Sequence, residues 1–353
     1  MEYTREEVNL IVADSFRELG YKQKKLFLAS IKFGDQTPEY EQRLIKSCGA
    51  GVYNNLRDKF CDESFRSGVL ASLRRKGVRC TTFKSASFPE SLKHISHPPL
   101  VLYMRGNVRL LEQKIFAVVG SRKSTAQAIE ECKKMVAELA EHFVIATGIA
   151  DGVDNAAALG ALPSGRVVCV LPCGHGAINP TLKRVEEQGL SLSEFPPDTP
   201  TMQYMFTLRN RILAGLSSGV LVVSAGNRSG AFSTAGYAAD YGKDVFAFPY
   251  GIGVASGEGC NKLIKNGAYL CDCVEDIFSV MGIEQTNADE KNESSLDEDE
   301  RAVLSALRQE GELHAERLAS LTGKKMFELS AICSSLEIKG LVVRTGGNKF
   351  AAL

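Results

Sequence analysis

No run of this sequence approaches the ~18 consecutive apolar residues of a membrane-spanning helix, so no membrane insertion is expected. The opening stretch, MEYTREEVNLIVADS, is acidic and lacks the basic-then-apolar layout of a secretory signal; a cytosolic protein is expected. Charge of one sign is not in excess either. The 42 Lys and Arg balance 42 Asp and Glu, which excludes indiscriminate adhesion to nucleic acid but leaves room for a local basic groove. The ten cysteines fall singly, apart from Cys169 with Cys173 and Cys271 with Cys273. Neither pair meets a second pair or a suitably spaced histidine, so a zinc site is not expected. Most cysteines read as small buried apolar residues kept reduced.

The nucleotide motifs with a known mechanism are also missing. Gly120 is not followed by the G-x-G-x-x-G of dinucleotide binders, and no acidic residue is placed to take a ribose. The nearest stretch to a Walker loop, GALPSGR, contains Pro163, ends in Arg and precedes a strand. No Ser–His–Asp order and no paired carboxylates can be argued. His175 alone among the five histidines falls in a glycine-rich loop, where it reads as a solvated residue. No catalytic residue and no cofactor are expected.

What is present is an alternation of strand and helix patterns. Apolar runs at 115–119, 143–147, 167–171, 190–195, 220–224 and 245–248 are separated mostly by helical periodicity. That pattern predicts an α/β fold: a Rossmann-like, mostly parallel sheet with helices on both faces. Residues 1–75 read as a helical domain of the SAM or helix-hairpin-helix kind. Its CGAGVYNNL segment is either a plain helix turn or a hairpin that contacts a DNA backbone. Residues 76–281 read as the Rossmann-like domain, with 78–111 an irregular extension whose LVLYMRG is a short strand. The acidic stretch at 282–298 reads as a flexible linker. Residues 299–353 read as three helices and a hairpin turning at TGGN, a winged-helix pattern.

Ligands of open parallel sheets bind at the carboxyl ends of the strands. That rule gathers four loops: GSRKST, TGIADGVD, PCGHGAINP and SAGNRSGAFST. The first follows IFAVV and opens a helix over 126–141, with Ile129, Cys132, Met135, Val136 and Leu139 at helical spacing. Unpaired N–H groups and the helix dipole favour an anion there. Gly120, Ser121, Arg122 and Lys123 are therefore candidate contacts, with Gly148, Gly152 and Gly230 letting the backbone approach a ligand and Arg228 and Ser229 beside them. In TLRNRILAGLSSGV, Arg209 and Arg211 flank Asn210 at what reads as a helix start. There they would oppose the dipole by about 0.3–1 kcal/mol each, so a bound polyanion or buried carboxylates must compensate. Two residues apart on a helix they diverge by about 200°, and Arg211, adjacent to Ile212, is expected to face the pocket. Asp154 either caps its helix or orients an arginine such as Arg211.

FAVVGSRKST, ATGIADGVDNAAALGAL, GRVVCVLPCG, SEFPPDTP, LRNRILAGLS, RSGAFSTA and GKDVFAFP with GEGCNKLIKNGA occur in the order of the DNA-processing protein A (DprA, or Smf) family. The resemblance spans about residues 75–280. It implies a single-stranded DNA-binding protein of natural transformation that protects incoming strands, forms a homodimer through its Rossmann-like domain and loads the RecA recombinase. Family members are not established catalysts. Arg122 matches the family's DNA-contacting arginine after Gly-Ser, and the second basic contact maps to Lys183 or Arg184. The chain departs from the pattern in having ADGVD for ARGID, which puts Asp151 in place of an Arg. It also lacks the His usual after DAAA, and INPTLKRVEEQGLSLSEF is short and lacks the family's Asn-containing turn. Two other readings stand beside this one. Phosphoribohydrolases of the same group, resembling the "lonely guy" family, carry a Glu three residues after a loop threonine, where this chain has Tyr237 after Thr234. A winged-helix regulator of duplex DNA would need a basic face, and residues 296–353 hold eight Lys and Arg against nine Asp and Glu; Lys324, Lys325 and Lys349 could form a small patch. Phe206 and Phe232 could stack on a base or lie in the core.

Overall fold

The apolar runs of the middle of the chain join one nine-stranded sheet. In chain order its strands are β1 (Arg79–Thr82), β2 (Val101–Gly106), β3 (Ile115–Gly120), β4 (Val144–Thr147), β5 (Val167–Val170), β6 (Leu190–Ser193), β7 (Gly219–Ser224), β8 (Asp244–Ala247) and β9 (Tyr269–Leu270). They lie side by side as β1-β2-β6-β5-β4-β3-β7-β8-β9. The pairings from β6 to β9 are all parallel, and β1 and β2 add an antiparallel edge. The expected Rossmann-like α/β sheet is therefore present, and the extension before it is more regular than its sequence suggested. This computed structural model describes residues 3–32, 37–176, 179–227, 229–283, 296–339 and 341–352.

Parallel strands buried on both faces read as unbroken apolar runs, yet their residues still alternate between two cores. Ile115, Ala117 and Val119 of β3 join Val144, Val168, Leu192, Ile212, Leu213 and Val222 on one face. Phe116 points the other way and meets the rings of Phe143 and Phe246, at 5.2 and 5.9 Å between centroids.

Helices connect the strands. The first five, α1 (Arg5–Asp14), α2 (Tyr21–Lys32), α3 (Thr37–Cys48), α4 (Ala50–Cys61) and α5 (Glu63–Arg75), precede the sheet. They close over Val12, Phe16, Phe27, Leu44, Tyr53 and Phe60. Gly49, at φ 88°, makes the break between α3 and α4 that the CGAG segment suggested. The bundle is anchored to the sheet edge by Asp14, which takes a hydrogen bond from the Tyr103 hydroxyl at 2.8 Å and an ion pair from Lys24 at 2.9 Å. Next come α6 (Glu90–Lys93), α7 (Ala126–His142), α8 (Val153–Ala161), α9 (Pro180–Gln188), α10 (Gln203–Leu216), α11 (Ala231–Asp240), α12 (Glu258–Lys265) and α13 (Val274–Met281). Among the described residues, no helix is long and apolar enough to cross a membrane. Cys80, Cys132, Cys169, Cys173, Cys260, Cys271 and Cys333 are buried.

The chain divides at Ile277 into two compact units. In the second, α14 (Glu298–Glu310), α15 (Ala315–Thr322) and α16 (Met326–Ile338) pack with β10 (Leu313–His314), β11 (Val342–Thr345) and β12 (Lys349–Ala352) around Val303, Leu307, Leu318, Leu329 and Leu336. The order β10-β12-β11 and the TGGN turn, with Gly347 and Asn348 at positive φ, complete a winged helix.

Candidate nucleic-acid interface

The strand order reverses at β3. The chain runs from β3 outward through β4, β5 and β6, then returns to lay β7 against the other side of β3. Loops leaving the carboxyl ends of β3 and β7 must therefore diverge, and a crevice opens between them. A cleft of about 450 Å³ lies there. The β3 loop supplies Gly120, Ser121, Arg122 and Lys123, the β4 loop Ala150 and Asp154, and the β7 loop and α11 Ser229, Gly230, Ala231 and Thr234. Gln203, Phe206, Thr207, Arg209 and Asn210 of α10 line the remaining wall. Three of the four expected loops thus meet. None of the described residues of PCGHGAINP lines the cleft, because β5 lies two strands away from β3.

The cations of the rim and of the floor differ. Arg122 and Lys123 are exposed. The Arg122 guanidinium sits over the Phe206 ring, 4.9 Å from its centroid, which steadies the charge while leaving its fork to solvent. Arg209 is 5% exposed and lies 3.6 Å from the Asp154 carboxylate. It also donates to the Val170 carbonyl at 2.9 Å and, through Nε, to Asn210 Oδ1 at 3.1 Å. Asp154 further accepts the backbone N–H groups of Gly120 and Ala150. Burial pushes the Asp154 carboxyl up and the Arg209 guanidinium down, and each charge opposes the other's shift. A guanidinium remains protonated, so the pair is an internal salt bridge that cancels most of the floor's charge. Free positive potential comes from Arg122 and Lys123, with the N-terminus of α11 beside them, where Ser229 Oγ accepts the Ala231 N–H at 3.3 Å.

This geometry corrects several expectations. Helix α10 begins at Gln203, so Arg209 and Arg211 lie within it and do not oppose its N-terminal dipole. Arg209, not Arg211, faces the cleft and is the arginine held by Asp154. Arg211 points away and pairs with Glu194 at 2.5 Å, with the arginine buried and the Glu194 side chain 11% exposed. Asp154 is the second residue of α8, after Gly152 at the cap, and its carboxylate faces Arg209. Two of the glycines make room for protein and not for a ligand. A Cβ on Gly148 would lie 2.0 Å from Asp154 Oδ2 and 2.1 Å from Arg209 Nη1. On Gly152, at φ +86°, it would meet the Ser121 carbonyl at 2.5 Å. Gly230 has open space around it. Asn210 spends its amide on the Gly230 carbonyl and on Ser233 Oγ. His175 is buried, and burial pushes its pKa down to about 4. Phe206 is a cleft wall, and Phe232 packs against the core. Arg228 lies outside the described residues.

A family model for DNA recombination-mediator protein A matches residues 79–282, and one for the DprA winged helix domain matches 287–348. DNA processing protein DprA of Streptococcus pneumoniae is 36% identical over 54% of this chain and 70% of its own. That of Bacillus subtilis is 34% identical over 60% and 73%. The chain belongs to the DNA recombination-mediator protein A family. An X-ray structure of the DprA from Streptococcus pneumoniae superposes with a TM-score of 0.60 at 27% identity, covering 79% of this chain and 98% of that one. A structure of DNA processing protein A from Helicobacter pylori, described as giving insights into its unique single-stranded DNA binding mode, superposes at 0.53 and 28% identity, covering 57% and 95%.

Within the DprA fold, Lys183 and Arg184 stand exposed on α9 and do not line the cleft. The turn before them does carry an asparagine, because Asn179 Oδ1 caps α9 by accepting the Leu182 N–H at 3.0 Å. Asp151, which replaces an arginine of the DprA pattern, is exposed at the start of the β4 loop's turn. Nothing in the sequence marks Gln203 and Thr207 as cleft residues, since periodicity alone does not extend α10 back to them.

Proposed function

We propose that this protein binds single-stranded DNA, protects incoming strands and loads the RecA recombinase during natural transformation, acting as a cytosolic homodimer. The observation that carries the reading is the cleft at the β3–β7 crevice. Exposed Arg122 and Lys123 border it, and the one carboxylate among its described lining residues, Asp154, is already held by Arg209 and two backbone N–H groups. Such a site attracts phosphate, and its described lining offers no free carboxylate or imidazole to activate its hydroxyls, those of Ser121, Thr207, Ser229 and Thr234. Contacts to phosphate carry no base information, so binding should be sequence-tolerant and fall with salt through counterion release. The DprA relatives and the Helicobacter pylori structure support the choice of single-stranded DNA as ligand.

The phosphoribohydrolase reading loses support at α11. Three residues after the cleft's Thr234, Tyr237 stacks on Tyr241 at 6.0 Å and packs against the core, where that chemistry needs a carboxylate. The duplex-regulator reading fares no better. Helix α16, in the position of a recognition helix, contains no Lys or Arg from Met326 to Ile338, and Lys324 and Lys349 are paired with Asp299 and Glu312.

Fluorescence-anisotropy titration with labelled single-stranded, duplex and mononucleotide ligands at two salt concentrations tests the proposal. Tighter binding of the single strand at both salts is expected. Equal binding of single and double strands, or release of free base from a nucleoside monophosphate, would overturn it.

A further inference from the structure

The first turns of α10 carry a feature that the cleft does not use. Gln203, Phe206, Thr207 and Asn210 face the cleft. Tyr204, one step around the helix, is 58% exposed, with Leu208 38% exposed one turn further on and Met202 at the cap 50% exposed. Residues three and four apart on a helix are neighbours, so Tyr204 adjoins both Thr207 of the cleft wall and Leu208. A single exposed apolar side chain is ordinary. Here two lie four apart on one stripe of α10, beside the wall of a cationic cleft, and the first is an aromatic ring with no ring partner among the described residues.

The other aromatics near the cleft are already engaged. Arg122 covers Phe206, while Phe232 packs against the core and lies beneath Lys262. An anion on Arg122 and Lys123 brings whatever it is attached to across the rim. In a single strand these attachments are planar bases, and every base has a π-face to offer an open aromatic ring. We infer that Tyr204, with Leu208 beside it, is a stacking platform for a base of the strand whose phosphates lie on Arg122 and Lys123. This rests on the proposed single-strand binding and names the part of it that is not electrostatic. Stacking releases no counterions, so it adds affinity that salt leaves nearly unchanged.

Anisotropy titrations of the full chain against an oligothymidylate, and against a strand of equal length made of abasic residues, separate the two contributions. Tyr204→Ala should weaken oligothymidylate binding about tenfold, within the range for loss of one base–aromatic stack, with an unchanged salt slope. It should bind the abasic strand as the unaltered protein does, and Tyr204→Phe should retain the affinity. The chain contains no tryptophan, so Tyr204→Trp introduces a single indole, whose emission should be quenched by oligothymidylate and not by the abasic strand. Undiminished oligothymidylate binding by Tyr204→Ala, or an equal loss on both strands, overturns the platform while leaving single-strand binding standing. Failure of the unaltered protein to bind any single strand overturns the binding proposal and the platform with it.

Discussion

Reversing the charge of Arg211 should destabilise the Met1–Ile277 unit, and any loss of binding should come through that destabilisation. Arg211 is 4% exposed, and its Nη2 lies 2.5 Å from Glu194 Oε2. Its Nε and Nη1 and the Glu194 Oε1 find no other partner among the described residues. Removing one member of a buried ion pair costs about 3–5 kcal/mol, because the remaining charge is left desolvated. Arg211→Glu does more, setting a second carboxylate against Glu194. For a unit of this size each kcal/mol lowers Tm by roughly 2–4 °C, so a fall of about 6–20 °C is expected. Circular dichroism melts of Arg211→Glu and Glu194→Gln should both show it, run beside anisotropy titrations on the same samples. A folded Arg211→Glu protein with unchanged Tm would refute the ion-pair argument, and one that then failed to bind DNA would return Arg211 to the interface.

Arg122→Ala should weaken single-strand binding more than Lys123→Ala at unchanged Tm, since the steadied guanidinium can grip phosphate oxygens in pairs while the ammonium acts as a mobile point charge; comparable losses in anisotropy would mean that bulk charge alone matters. Gly148→Ala should destabilise the sheet unit by several kcal/mol, because the new methyl group would overlap both Asp154 and Arg209; a melt within 2 °C of the unaltered protein, roughly 1 kcal/mol, would contradict this. In the winged helix, Lys339, Ser335 and the Asp297 N–H hold the Glu300 carboxyl down to about 2 from its ordinary value of 4.5. A depressed carboxylate stabilises above its unfolded pKa and loses that contribution as pH falls through its folded one. The contribution of up to about 3 kcal/mol should therefore fade between about pH 4.5 and 2, and chemical denaturation of Glu300→Gln should show a flatter pH dependence over that window.

The parallel strands were legible because burial on both faces forces an unbroken apolar run, and each of the six runs lies on a strand. The edge was not. β1 is four residues, RCTT, with two threonines and one outward arginine, and its pairing with β2 depends on a turn that no local pattern marks. The start of α10 was hidden for a related reason: Met202, Tyr204 and Leu208 are apolar but exposed, so they blur the 3.6-residue stripe by which the helix would be traced backwards. Once the start is misplaced, Arg209 and Arg211 seem to need an external anion. Their actual partners, Asp154 and Glu194, sit after different strands, and only the strand order decides which arginine meets which carboxylate.

A glycine-rich crevice with four nearby arginines suggests a deep anion pocket, but one arginine is spent on Asp154, another on Glu194, and the steric demands of Gly148 and Gly152 are met by protein. Among the described residues, what remains is a shallow rim of two exposed cations, Arg122 and Lys123, one helix start and an open aromatic ring. Each contact of this kind is weak alone, whether a screened surface charge or a single stacked base. A mononucleotide could satisfy one or two of them at once. A flexible strand can satisfy them all, and pairing the strand into a duplex would withdraw the base that Tyr204 takes. On the proposed reading, preference for single strands then follows from the weakness of the individual contacts together with the exposure of that one ring.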